Sequence, residues 1–414
     1  MRPALDGIRL VCRPAADAAV GVAAQPVDAC PFGTRDGGGS TCAPAAGWVG
    51  HLASLEAAWE DLLCDSEAGG PFLTWEWLTA WWTHLGGGAR LRAAVVRAGG
   101  DVVAIAPLVE ECSFSRAFPR LRLMGTGCAG SDYLDVIARR GHEEKAVAAL
   151  ARLLADRRVP IWFEHVRPDS TARRVAAHLS AAGWSVVIAP DGVCPVIDLA
   201  GQTWESYLDT LGRAHRANVR RRLRGLNEAF RVSFALVATE RERRDALAAL
   251  AAFHERRWRR HGGSTALSTG ALRAFHDEAT RRALARGWLR MYVLRLDDAV
   301  AAVMYGFFHE RQFYFYQHGF DDRYRQHSVG LALMALTIQA AIMEGAETFD
   351  LLWGAEAYKW LWARAVSRLE RIELYPPTAR GRLHQTAVAI RRRLPALVRA
   401  AIRPAPSSPG GIRV

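Results

Sequence analysis

Glu356, Tyr358 and Lys359 fall together in the stretch from Asp350 to Lys359, which reads Asp-Leu-Leu-Trp-Gly-Ala-Glu-Ala-Tyr-Lys. A carboxylate can take a proton, a phenol can donate one, and a lysine ammonium can hold a phosphate or carboxylate. Lysine occurs only at Lys145 and Lys359 among 54 basic residues, so Lys359 is not part of a lysine background. A salt-bridged surface turn, with Trp360 and Trp362 packed inward, fits the same letters.

A second stretch, Arg311 to Gly345, is built for a different task. Phe313, Tyr314, Phe315 and Tyr316 form a strongly β-prone strand ending at His318-Gly319-Phe320-Asp321. A polar loop follows, and Ser328-Val329-Gly330 opens a helix. Unpaired backbone N–H groups at a helix start, aided by the helix dipole, hold anions. Gly330 allows a phosphate close to the backbone, and Arg323 and Arg325 add positive charge. An ordinary strand-to-helix turn with Ser328 as N-cap is the plainer reading. On the strand, Tyr316 and His318 share one face by the period of two and are expected at a cleft. Core packing fits Tyr316 equally well.

A third candidate is the helix with Arg213, Arg216, Arg220 and Arg224 along one stripe and Leu208, Leu211, Val219, Leu223, Leu226 and Phe230 along another. A solvated amphipathic face explains it. So does a landing surface for an anionic acceptor, lipid headgroup or RNA at 213–224.

The chain of 414 residues suits two domains, and 50% hydrophobic with 23% charged content is globular. The net charge of +12 is nearly all arginine, which fits a codon bias or a polyanionic partner. The seven cysteines have no zinc-pair spacing, so a reducing, cytoplasmic setting and no metal are expected. Gly-x-Ser-x-Gly, Walker and His-Glu-x-x-His patterns do not occur. The most apolar stretch, Leu331 to Met343, is too short for a membrane span, so a soluble protein is expected.

These residues need elements to position them. Residues 1–45, rich in Gly, Ala and Pro, read as a flexible leader. In the first lobe, 46–195, helices are expected at Leu52 to Leu63, Thr74 to His84 with Thr74 as cap, Glu143 to Asp156, and Ser170 to Ala182. Strands are expected at Leu91 to Arg97 and Val102 to Leu108, a hairpin around Gly99-Gly100-Asp101, then Arg120 to Met124, Tyr133 to Ile137, Ile161 to Val166 and Trp184 to Ile188. Pro190 to Pro195 reads as a turn-rich break. The second lobe, 196–377, starts with one long helix, Trp204 to Phe230. It continues with two further helices, a hairpin around Asp297-Asp298, and the strand–turn–helix described above. Residues 378–414 form a basic amphipathic tail able to meet an anionic surface. The fold class is α/β, with two tandem lobes, each a mixed, mainly antiparallel sheet flanked by helices.

The sequence resembles the GNAT superfamily, and within it the CelD/BcsL-like acetyltransferases. The likeness is carried by Pro71-Phe-Leu-Thr-Trp-Glu-Trp-Leu78 with Trp81-Trp82, by Ser131-Asp-Tyr-Leu-Asp135, and by Trp204-Glu-Ser-Tyr-Leu208. It continues through Arg216 to Leu223, Gly319-Phe-Asp321, Ser328-Val-Gly330 and Asp350 to Lys359. It runs from about Trp48 to Pro376. The resemblance implies an acyltransferase using acetyl-CoA or another acyl-CoA, with a small-molecule amine or sugar as acceptor, in polysaccharide or cell-envelope metabolism. Glu356 would be the base, Tyr358 the donor to the leaving thiolate, and Lys359 a contact to phosphate or acceptor. The superfamily pattern Arg/Gln-x-x-Gly-x-Gly/Ala aligns with His327 to Ala332, implying cofactor contacts at Gln326, His327, Ser328, Val329 and Gly330, with His327 where a basic or amide residue is usual. Arg257, Tyr316, His318 and Asp350 would line the acceptor side. A Fem-like transferase using aminoacyl-tRNA, or a non-catalytic accessory protein of polysaccharide synthesis, remains open at this stage.

Overall fold

The computed structural model describes residues 9–11, 44–113, 118–261 and 267–393. The chain forms two compact units. One comprises Cys30–Gly192 and Arg368–Ser408, the other mainly Val193–Ser367. Strand β1 (Arg9–Val11) pairs in parallel with a strand of the latter unit.

In the unit of residues 30–192, β2 (Ala45–Val49) precedes α1 (Glu56–Cys64) and α2 (Trp75–Leu85). Thr74 caps α2 as expected, its side chain accepting from Trp77 N. After β3 (Arg90–Leu91), the hairpin of β4 (Ala93–Ala98) and β5 (Asp101–Ala106) turns through Gly99 and Gly100, both at positive φ. Next come β6 (Leu108–Ser113), β7 (Phe118–Leu123), β8 (Ile137–Ala138), α3 (Glu143–Arg157), β9 (Ile161–Val166) and α4 (Thr171–Ala181). The expected strand over Tyr133 to Ile137 shrinks to β8. The Asp135 carboxylate instead accepts from the backbone N–H groups of Val136, Thr171 and Ala172, capping α4. Burial pushes its pKa up to about 6 against those three bonds.

Strand β10 (Ser185–Asp198) runs straight through the expected break at Pro190 to Pro195. A proline lacks only a donor, so a strand tolerates it where that position owes no ladder bond.

The remaining unit holds the residues singled out above. The expected long helix is two, α5 (Trp204–Thr210) and α6 (Arg213–Ala229), because Leu211 and Gly212 are extended. Then come β11 (Val232–Leu236), α7 (Glu240–His261), α8 (Gly270–Ala285), β12 (Leu289–Leu296), β13 (Ala299–His309), β14 (Gln312–Phe320), α9 (Val329–Met343) and β15 (Thr348–Asp350). Their sheet order is β1-β11-β12-β13-β14-β15-β10, antiparallel from β11 to β14, with β14 and β15 parallel. Asp297 and Asp298 turn the β12–β13 hairpin at positive φ, as expected. Helix α9 is buried on all sides, consistent with its uninterrupted apolar sequence. It packs with α5, α6 and the sheet around Phe313, Phe315 and Phe349. Helix α7 lies on the other face, where a Cβ on Gly319 would meet Leu250, Phe253 and His254. Among the described residues no helix is long and apolar enough to cross a membrane.

Strand β16 (Ala365–Tyr375) leads to α10 (Ala379–Arg393), which lies in the expected basic tail. Arg392 of α10 pairs with buried Glu373, and His384 stacks on Trp162, both within the unit that contains residues 30–192. The rest of the tail and most of the expected leader lie outside the described residues.

Candidate active site

The site starts from a short register. Strands β14 and β15 pair only at Gln312 with Thr348, Phe313 with Phe349 and Tyr314 with Asp350. Beyond these pairs the chain after β15 stays with β10, through Leu351 N to Pro195 O at 2.9 Å and Gly354 N to Val193 O at 3.0 Å. Residues Phe315 to Phe320 continue along β13 instead. The strands therefore part, leaving one edge of β14 without a strand neighbour. Backbone N–H and C=O groups on such an edge can bond an extended ligand.

The far wall of the wedge is pinned by Lys359. Its side chain is 4% exposed as a residue, and Nζ donates to Leu352 O at 3.1 Å and Trp353 O at 2.8 Å. It also lies 3.0 Å from Glu356 Oε2. Leu352 holds a positive φ of 58°, and Gly354 one of 122°. The Asp350 carboxylate, itself buried, accepts from Leu352 N at 2.7 Å. Asp350 and Lys359 thus shape the backbone instead of facing a ligand, which corrects their expected contact with the acceptor. The buried ammonium is spent on two carbonyls and a carboxylate of its own loop.

Glu356 sits over Gly354; its side chain is 22% exposed, and its Oε2 is buried beside Lys359 Nζ. Tyr358 is partly buried, and burial together with the Glu356 carboxylate holds its phenol above its ordinary pKa. The phenol therefore stays protonated and able to donate. The ring of His318 meets that of Tyr358 at 5.9 Å and Phe315 at 5.1 Å. Burial, with the positive fields of His254, Arg257 and Lys359, pushes the His318 pKa down to about 3. His254 on α7 places Nε2 3.0 Å from the His318 carbonyl oxygen. Because a carbonyl only accepts, Nε2 carries the proton. Burial, then Arg257, lowers the His254 pKa, so both imidazoles are neutral near pH 7. Arg257 lies over the Phe320 ring at 5.7 Å. Sequence reading singled out the neighbourhood of His254 but gave it no role. Its signal is the four-residue step on α7 that puts Leu250 and His254 against Gly319.

Tyr316 goes elsewhere. A bulge shifts the β13–β14 register, with Tyr305 opposite Gln317 but Gly306 opposite Phe315. Tyr316 is the extra residue, so the period of two fails across it. Its ring packs with Tyr305 at 5.3 Å and His276 at 5.9 Å, away from His318. The expected shared face is corrected accordingly.

At the end of β14 the chain makes a 3-10 turn, Asp322–His327, and enters α9. Ser328 does not cap the helix by its side chain; it adopts the left-handed conformation at φ 55°. Its carbonyl accepts from Leu331 N and Ala332 N, which leaves the N–H groups of Val329 and Gly330 at the helix mouth. His327 packs edge-on against Phe230 at 4.8 Å, and the Gln326 amide reaches His327 Nε2 at 3.3 Å. Arg323 is committed to the buried Asp321 carboxylate, which it shares with Arg256. The positive charge expected from Arg323 is therefore already paired, although its side chain, like that of Arg325, is exposed.

Comparison with known proteins bears on this same region. Residues 213–360 match the family model described as an acetyltransferase (GNAT) domain. That span runs from the first residue of α6 past Lys359 and contains the whole wedge. A search of curated protein sequences found no match. Among solved structures, FemX is similar at a TM-score of 0.56 and 12% identity, over 79% of this chain and 96% of that one. A conserved protein of unknown function from Bacteroides thetaiotaomicron VPI-5482 is similar at 0.53 and 10%, over 79% and 98%. These likenesses concern the fold, an α/β architecture of mixed sheets flanked by helices, with the GNAT domain match confined to residues 213–360.

Proposed function

We propose that the chain is an N-acyltransferase of the CelD/BcsL-like kind, moving an acyl group from acetyl-CoA or another acyl-CoA to the amine of a small molecule or sugar. Polysaccharide or cell-envelope metabolism is the setting that suits such an acceptor. The observation that carries the reading is the parting of β14 from β15 beyond Tyr314 and Asp350, with the mouth of α9 at the far end of the same strand. The co-substrate would supply the electrophilic thioester carbon. The Val329 and Gly330 N–H groups suit its phosphates, and the free edge of β14 suits an amide-bearing arm.

This chain's residues then have distinct tasks. Glu356 takes the proton that the amine loses as the C–N bond forms. Tyr358 donates to the sulfur as the C–S bond breaks. Neutral His318 and His254 line the wall without adding charge, and Arg257 offers a cation for an anionic group on the acceptor. Calorimetry with acetyl-CoA and longer acyl-CoAs, with thiol release measured against an amine panel, tests the reading. Absence of acyl-CoA binding, with no effect of Gly330→Trp on any activity, would remove it.

The fold likeness to FemX supports a second reading, a Fem-like transfer from aminoacyl-tRNA. The exposed Arg213, Arg220 and Arg224 on α6 would meet RNA phosphates. RNA binding that weakens steeply with salt, without acyl-CoA binding, would select it.

A further inference from the structure

The loop that carries the site also presents an apolar surface. In the 3-10 turn Lys359–Leu361 the three-residue repeat puts Lys359 and Trp362 inward. Trp360 and Leu361 between them are 40% and 47% exposed, and Trp353, whose carbonyl is held by Lys359, is 38% exposed. The exposure is fixed by anchors. Besides the Lys359 bonds, Tyr207 O–H donates to Trp362 O at 3.1 Å, and the His215 ring packs on Trp362 at 4.6 Å. The Arg364 guanidinium donates to Trp360 O at 3.1 Å and Ala363 O at 2.9 Å.

His215 belongs to α6, so the apolar loop adjoins the start of a strongly basic helix. Arg213, Arg220, Arg221 and Arg224 are exposed on α6, whose sole acidic residue is Glu228 near its end. Arg216 is paired with Asp209. We infer that Trp353, Trp360 and Leu361 together with the arginine face of α6 form a docking surface for an anionic lipid bilayer. Indoles favour the headgroup boundary, a leucine gains from the acyl region, and guanidinium groups gain from anionic headgroups. Charge complementarity selects the anionic surface, and the exposed leucine, which has no task in stacking on bases, favours lipid over RNA. The inference is compatible with an acyl-CoA donor and competes with the aminoacyl-tRNA reading, which assigns the same α6 arginines to RNA phosphates.

Co-sedimentation of the full chain with phosphatidylcholine vesicles, with and without phosphatidylglycerol, tests it. The chain is expected to pellet with the anionic vesicles and to be released as salt rises. Arg220→Ala with Arg224→Ala should weaken partition about thirtyfold. Trp360→Ser with Leu361→Ser should weaken it about tenfold at low salt as well. All four side chains are exposed, and an unchanged thermal transition confirms that the variants fold. Equal partition to neutral and anionic vesicles would overturn the inference, as would wild-type binding by both folded variants. Binding of mixed-sequence RNA without vesicle binding would overturn it in favour of a nucleic-acid surface.

Discussion

The Glu356 carboxyl occupies the space that a Cβ on Gly354 would need. Gly354 also holds φ at 122°, which L side chains rarely adopt. The glycine and the acid therefore act as one unit. Gly354→Ala should cost about 1–3 kcal/mol by urea denaturation, because strain and displacement come together. It should also lower acyl transfer by about tenfold or more, since the base would be moved. A variant with full activity would separate Glu356 from the chemistry.

Lys359 offers a second test, of stability and not of catalysis. Lys359→Met leaves the Leu352 and Trp353 carbonyls and the Glu356 carboxylate without their cation. A loss of about 3 kcal/mol is expected, the lower end for a broken buried pair because Glu356 keeps some contact with water. Adding Glu356→Gln should recover part of it, giving a coupling of about 1 kcal/mol or more in a double-mutant cycle. Additive losses would mean that the ion pair contributes nothing of its own.

Local signals carried much of the architecture. Thr74 before Trp75 marks a helix start by its own hydroxyl, and Asp297-Asp298 marks a hairpin by tolerance of positive φ. The strand–turn–helix from Gln312 to Met343 was equally legible, because aromatic and uniformly apolar runs leave few alternatives. What could not be read depends on contacts distant in sequence. The bulge that turns Tyr316 away from His318 arises where β13 approaches so closely that a Cβ on Gly306 would strike the Tyr314 backbone. Ser328 looks like a cap, but the turn held by Asp321 and Arg323 delivers it in a left-handed conformation. Lys359 stood out by rarity, which says that it matters without saying whether it faces a ligand or its own backbone.

The depressed His318 pKa predicts an acid-sensitive fold. The histidine is neutral when folded down to about pH 3, while the unfolded group takes a proton near its ordinary value of 6.5. The unfolded state thus binds more protons between these values, and stability falls as pH drops through that window. Full stability is kept above pH 6.5. From pH 6.5 to 5 the loss from this group should be about 2 kcal/mol. Urea titrations at each pH should show a shallower decline for His318→Gln than for the native chain. Parallel declines would place the acid sensitivity in other groups.

Gly330 allows the anion site to be separated from the fold. Its φ is not in the left-handed region, and a Cβ there would meet only the Phe320 ring, at 3.4 Å, an ordinary contact. The protein's own packing therefore does not demand glycine, although glycine in a helix costs about 0.5–1 kcal/mol relative to alanine. Gly330→Ala should accordingly leave the thermal transition unchanged or raise it slightly. If phosphates rest on the Val329 and Gly330 N–H groups, the added methyl stands between ligand and backbone. Acyl-CoA affinity should then fall about tenfold, and further with Gly330→Val, while stability does not follow the same order. Calorimetric titration beside thermal melts of both variants reads the two effects independently. Affinity that tracks stability would show that the glycine serves the helix, whereas affinity lost from a fold at least as stable places the phosphate at the mouth of α9.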